Sequence, residues 1–111
     1  MKYAARDAWL AQVTEEIIDP DRNIVDPHHH FFDGSKYFQE YDLEKLRADT
    51  ATHRISQTVY LQCGEHHRTI GPDATKPVGE TEWVDSIAMI AREDPEQTQI
   101  GAMIGTAELR L

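Results

Sequence analysis

Short runs of β-branched and apolar residues alternate along this chain with segments in which apolar residues recur at helical spacing. The runs predict three strands, at about residues 23–26, 55–63 and 100–105. Helical spacing predicts a helix before each strand, over residues 4–18, from about 42, and over 80–92. A parallel pair of strands needs a long crossover connection, which a helix supplies. The order therefore predicts an α/β fold with a parallel sheet.

The net charge of the chain limits the classes of partner. There are 20 acidic residues against 11 Lys and Arg, which gives a formal charge of −9, and the charges are scattered. Nucleic acid and anionic membrane surfaces are therefore not expected as partners. The first residues carry charges where a signal peptide needs an apolar run, and no stretch has the length of a membrane span. We expect a soluble, cytoplasmic protein.

Cysteine content limits the ways in which the chain can bind a metal. Cys63 is the only cysteine, so no internal disulfide and no thiolate cluster can form within the chain. Because it ends a predicted buried strand, we interpret Cys63 as a packed thiol. Any metal must then be held by His, Asp or Glu.

The first strand ends in three consecutive histidines. Residues i and i+2 of a strand point to the same side, so His28 and His30 should project together, away from His29. Two such positions are roughly 6.5–7 Å apart, a span over which two imidazoles can converge on one ion. Asp26 should share their face, where it could either orient one of the metal-binding histidines or pack structurally below the site. Parallel α/β folds place their active sites at this C-terminal end of the strands.

An isolated His-x-His is more often a solvated turn or a pair of core histidines than a metal site. Here the surrounding segments carry more information than the pair alone. They are residues 24–33 (IVDPHHHFFD), 59–63 (VYLQC), 71–73 (GPD) and 77–83 (PVGETEW). In this order the segments resemble the amidohydrolase-related family, and the resemblance extends from about Trp9 to the last residue.

The resemblance implies a TIM-barrel, metal-dependent hydrolase in which His28 and His30 are metal ligands, most simply for zinc. Water or hydroxide on the metal would attack a lactone, ester or amide carbonyl of a small-molecule substrate. The family's remaining ligands and its general base, an aspartate, would lie beyond Leu111, so the catalytic residue is not assigned within this chain.

A complete barrel takes about 250 residues. The resemblance therefore implies that residues 1–111 form a single, truncated barrel domain, with an N-terminal helix and turn over 1–22 and the first three βα units over 23–111. We expect the chain by itself to be inactive. The oligomeric state is open, and a homo-oligomer of the intact protein is allowed.

Other polar residues have both a functional and a simpler interpretation. Three residues that follow the second strand are candidates for substrate binding: Arg68 could pair with a carboxylate, and His66 and His67 could form hydrogen bonds. A solvated polar loop is the alternative for all three. Glu80 and Glu82 open the last helix, where capping explains them. The aromatic residues interpreted as core or packing residues are Trp9, Phe31 and Trp83.

Three functional alternatives are open at this point. A metal-independent lactonase or a metal-dependent decarboxylase would keep the same barrel. A small, non-catalytic α/β binding module whose histidines capture a metal or a partner would be a complete domain of a different class, with no exposed apolar patch.

Overall fold

A parallel sheet of three strands, in the order β1-β2-β3, forms the centre of the protein. The computed structural model describes residues 3–110. Its strands are β1 (Asn23–His29), β2 (Arg54–Leu61) and β3 (Gln99–Ile104). Its helices are α1 (Ala4–Leu10), α2 (Leu43–Thr50) and α3 (Val78–Ala91), with a short 3-10 turn at Asp73–Thr75. The predicted mixed α/β fold with a parallel sheet is confirmed.

The core lies where α2 and α3 meet one face of the sheet. The buried residues of this cluster are Phe31, Leu46, Tyr60, Val84, Ala88, Ala91 and Ile100. Phe31 belongs to it as predicted, and Trp83 is half-buried against it. Val25 and Ile104, from the two outer strands, are more than half exposed and lie outside the cluster. The described helices and strands thus have one well-packed side.

The first predicted helix is much shorter in the structure. It ends at Leu10 instead of residue 18, contains no buried residue, and leaves Trp9 67% exposed. The predictions of a long first helix and of a packed Trp9 are therefore wrong. Helical spacing alone is marginal in a segment this short, because most helical stability comes from packing an apolar face, and this one packs against nothing in the core.

The other two helices begin close to their predicted starts. Asp42 is the N-cap of α2, and its carboxylate accepts a hydrogen bond of 2.9 Å from the backbone N–H of Lys45. The last helix begins at Val78, after Pro77, two residues before the predicted start. Within the described residues, no helix has both the length and the apolar character needed to cross a membrane.

The pairing of β1 with β2 is irregular between Ile24 and Val25 and again, at a bulge, between Asp26 and His29. Asp26 is paired with Thr58 and His29 with Tyr60, so three steps along β1 match two along β2. Pro27 lies within this bulge, where its lack of an N–H costs no ladder hydrogen bond. Partners in register share a face of the sheet, and both Thr58 and Tyr60 are buried. Asp26 and His29 therefore lie on the helix side.

Candidate functional site

The side chains of His28 and His30 converge at the C-terminal end of β1. Their Nε2 atoms are 3.2 Å apart, with ring centroids 5.0 Å apart and ring planes at 88°. His28 is exposed and His30 is partly buried. The predicted common orientation of the two rings is confirmed.

The end of β2 fixes the ring of His30. Its Nδ1 lies 2.8 Å from the carbonyl oxygen of Leu61, the last residue of that strand. Because a carbonyl only accepts, Nδ1 carries the proton, and the neutral ring of His30 has a bare lone pair on Nε2. In the neutral pair His28 Nε2–H must then donate to His30. A histidine held in this way by a backbone carbonyl has the arrangement typical of metal ligands.

His29 points the opposite way, into the core. Its ring packs edge-on against Phe31 and Tyr60, and it is 8% exposed. Neither ring nitrogen has a hydrogen-bond partner among the described residues. Burial lowers the pKa of His29 from 6.5 to about 4, and the nearby Asp26 charge and Val59 backbone oppose this shift only in part. His29 is thus a neutral core residue.

Asp26 does not share the face of the histidine pair. The β1 bulge turns it to the helix side, where its charge acts on His29 and on Tyr41. The prediction of a common face is therefore wrong, because strict alternation fails at a bulge. The carboxylate still reaches this region, since it accepts a hydrogen bond of 3.0 Å from the backbone N–H of His28. A supporting role for Asp26 stays a prediction, now through the backbone and not through an imidazole.

The loop after β2 is held by a buried carboxylate. Glu80, in the first turn of α3, is 2% exposed and accepts hydrogen bonds from the backbone N–H groups of Cys63, Gly64 and Glu65 at 2.9, 3.2 and 3.3 Å. The Tyr60 hydroxyl also donates to it, at 2.8 Å. The interpretation of Glu80 as a cap of its own helix is wrong, because these bonds go to the loop.

The surroundings of Glu80 affect its own pKa and those of its neighbours. Burial alone would raise the pKa of this carboxyl, but its hydrogen bonds to Cys63, Tyr60 and the following amides outweigh burial and lower it. Burial raises the pKa of the Cys63 thiol, and the Glu80 charge adds to the increase. The residue Cys63 is exposed overall, but its Sγ lies 3.5 Å from both Tyr60 Oη and Glu80 Oε2. A thiol with a raised pKa is a poor nucleophile.

Two of the three candidate substrate-binding residues lie farther along this loop. His67 Nε2 is 3.8 Å from Glu80 Oε1, and the Arg68 guanidinium is paired with the exposed carboxylate of Glu82. Within residues 3–110, no hydrogen bond, ion pair or ring contact joins either residue to His28 or His30. A substrate carboxylate would have to displace Glu82 from Arg68.

His66, a sequence candidate for substrate contact, belongs to a second group of polar residues whose other members were not predicted. His66 stacks on Trp83, with ring centroids 4.0 Å apart, and its Nε2 contacts the Asp33 carboxylate. With Glu65, these two residues place ligand-type atoms within 4.8 Å of one another. The sequence alone could not predict the partners of His66, because Asp33 lies in the loop after β1 and Trp83 lies in α3. Only the fold brings these segments together.

No protein-family model, curated protein or solved structure matches this chain.

Proposed function

We propose that this chain carries part of the metal site of an amidohydrolase-type hydrolase, with His28 and His30 as ligands of a divalent ion. Zinc is the proposed ion. The observation that carries the proposal is the 3.2 Å separation of the two Nε2 atoms. Two nitrogens bound at 2.0–2.1 Å to a tetrahedral ion lie about 3.3 Å apart. The donor atoms are therefore spaced as a tetrahedral zinc site would need them.

The chain's own residues prepare this pair in two ways. The Leu61 carbonyl keeps the proton of His30 on Nδ1, so that Nε2 is free to bind a cation. The Asp26 carboxylate fixes the backbone of His28 at the bulge. A divalent ion, when bound, would supply Lewis acidity that polarises a substrate carbonyl and acidifies water.

The position of the pair in the sheet supports a barrel origin. His28 and His30 lie at the C-terminal end of a parallel strand, which is where TIM barrels place their catalytic groups. We propose that the three strands correspond to the first three of such a barrel. The exposed Val25 and Ile104 side chains fit a sheet that continues better than a self-contained binding module.

The proposed substrate is a small molecule with a lactone, ester or amide carbonyl. Arg68 is the residue that would bind a carboxylate on this substrate, with His67 beside it, and both belong to the loop after β2. The general base and the further ligands that a catalytic zinc needs would come from later strands. In this proposal the isolated chain binds metal without turning over substrate.

Zinc titration of the 111-residue chain by calorimetry tests the proposal. We expect one zinc per chain, with the affinity lowered by at least about tenfold in His28→Ala and in His30→Ala. His53→Ala is the matched control, because this histidine is exposed and its hydrogen bonds within the described residues go only to Thr52 and Thr50. Circular dichroism confirms that each variant folds. Unchanged zinc affinity in both site variants, or no zinc binding by the wild type, would overturn the assignment.

Activity distinguishes the two versions of the chemistry. In a protein that completes the proposed site, both histidine variants should lose hydrolysis of lactone or ester substrates, and exhaustive chelation should have the same effect. Hydrolysis that survives chelation would favour a metal-independent lactonase in which the histidines only polarise the substrate.

A further inference from the structure

The loop after β2 is docked along the first turn of α3 through almost every residue from Cys63 to Arg68. Three backbone N–H groups, at Cys63, Gly64 and Glu65, point at the single carboxylate of Glu80. Successive amides that converge in this way form an anion-binding concavity. Here the anion is a side chain of the protein itself, and it is almost completely withdrawn from solvent.

The second half of the loop is seated by close backbone approach. A Cβ atom placed on Gly79 would lie 2.4 Å from the carbonyl oxygen of His66 and 2.6 Å from the backbone nitrogen of Arg68. Only glycine permits this separation, because real Cβ contacts do not come below 3.0 Å. The Arg68 N–H also donates to the Lys76 carbonyl at 2.8 Å. Glu80 and its neighbour Gly79 thus hold consecutive parts of one loop.

We infer that Glu80 is a positioning residue, whose carboxylate anchors residues 63–65 and thereby sets where His66, His67 and Arg68 stand at the C-terminal edge of the sheet. The inference rests on the proposed function only in assigning substrate binding to these three side chains. The anchoring itself depends on contacts present in the chain alone. Hydrogen bonds to a charged acceptor are roughly twice as strong as neutral ones, so replacing the charge should release the loop.

Amide hydrogen exchange in Glu80→Gln tests the inference. Glutamine has nearly the same shape, but its NH₂ group cannot accept from the loop amides. We expect exchange at residues 63–65 to accelerate by about tenfold or more. The exchange rates of amides in the middle of β2 should change only by the amount that the change in global stability accounts for. The matched control is Asp85→Asn, which changes an exposed acid on the same helix.

A second variant separates anchoring from general loss of stability. Gly79→Ala leaves the Glu80 carboxylate in place but displaces His66 and Arg68. Exchange should therefore accelerate more at the Arg68 amide, which is bonded to the Lys76 carbonyl, than at residues 63–65. If both variants accelerate all amides equally, Glu80 merely stabilises the fold and the inference is wrong. An unchanged exchange rate at 63–65 in Glu80→Gln would contradict it directly.

Zinc titration of Glu80→Gln separates this inference from the proposed function. The affinity of the histidine pair should stay within about twofold of wild type, since Glu80 contacts neither His28 nor His30. Faster exchange at residues 63–65 in Glu80→Gln, with no zinc binding by the wild type, would contradict the metal proposal and support the anchoring role of Glu80. Zinc binding that depends on His28 and His30, with unchanged exchange at residues 63–65 in Glu80→Gln, would support the metal proposal and contradict the anchoring role of Glu80.

Discussion

The imidazole ring of His66 lies face to face with the indole ring of Trp83, with centroids 4.0 Å apart and planes 14° from parallel. Trp83 also meets Phe31 edge-on, at a centroid distance of 6.4 Å. The loop after β2 is therefore connected through one indole ring to the buried core. This connection makes Trp83 a natural reporter of where the loop stands.

Removing the His66 ring should expose Trp83. In a Trp9→Phe background Trp83 is the only tryptophan, so selective excitation of tryptophan reports on it alone. Trp9 can be replaced because it is largely exposed and outside the core. We expect His66→Ala to shift the Trp83 emission to longer wavelength, because one face of the indole gains water. His53→Ala should leave the spectrum as it is. An unshifted spectrum in His66→Ala would mean that the stacking does not persist in solution.

Acid should weaken the fold through Glu80. Its folded-state pKa is lowered below the usual value of 4.5, so its contribution is complete above that value and is lost as the pH falls through the folded-state pKa. At neutral pH, Glu80→Gln should reduce the free energy of unfolding by about 1–3 kcal/mol. Urea denaturation of both proteins over about pH 3–7 should show this difference shrinking on acidification. A constant difference across that range would contradict an ionised anchor.

Replacing the buried histidine should stabilise the chain. Among the described residues, neither buried nitrogen of His29 has a hydrogen-bond partner, and each such group costs about 1–3 kcal/mol. His29→Leu keeps a similar volume against Phe31 and Tyr60, so we expect a higher midpoint of thermal unfolding. The gain should grow as the pH falls from 6.5 towards about 4, because the unfolded wild type takes up a proton that the folded state refuses. A lower midpoint at all pH values would contradict the prediction.

Two glycine substitutions should differ sharply in cost. An alanine Cβ at Gly79 would meet two backbone atoms, whereas at Gly101 it would come closest, at 2.4 Å, to the terminal Oε1 of Gln57, a flexible side chain. We expect Gly79→Ala to lower the free energy of unfolding by at least about 1–3 kcal/mol. Gly101→Ala should stay within about 1 kcal/mol of wild type, because Gln57 is exposed and can move. Equal costs in urea denaturation would refute the close approach at Gly79.

Local patterns were sufficient to predict some features of this protein. The β-branched runs, the Asp42 cap and the alternation at His28 and His30 each depend on residues within one or two turns of chain, and each is present in the structure. Such short-range preferences act wherever the segment ends up in the fold.

Features that depend on distant segments could not be predicted in the same way. The first helical pattern stops at Leu10, because nothing packs on its apolar residues. Glu80 occupies a position where helix capping is the simplest explanation, yet its partners lie 15 to 20 residues earlier in the chain. Strict alternation predicts the wrong face for Asp26, because a bulge leaves no mark in a hydrophobic pattern except, here, a proline.

The bulge at Pro27 is also a position where the first strand carries one residue more than its pairing with β2 requires. A chain shortened by this one residue would pair Asp26 and His29 with the same partners in β2 without interruption, and the histidine pair would keep its side of the sheet. A residue lost after His29 would instead carry the following side chains across to the other side. The strand can therefore lose a residue at Pro27 without changing which side chains share a face, whereas the number of residues after His29 must stay the same.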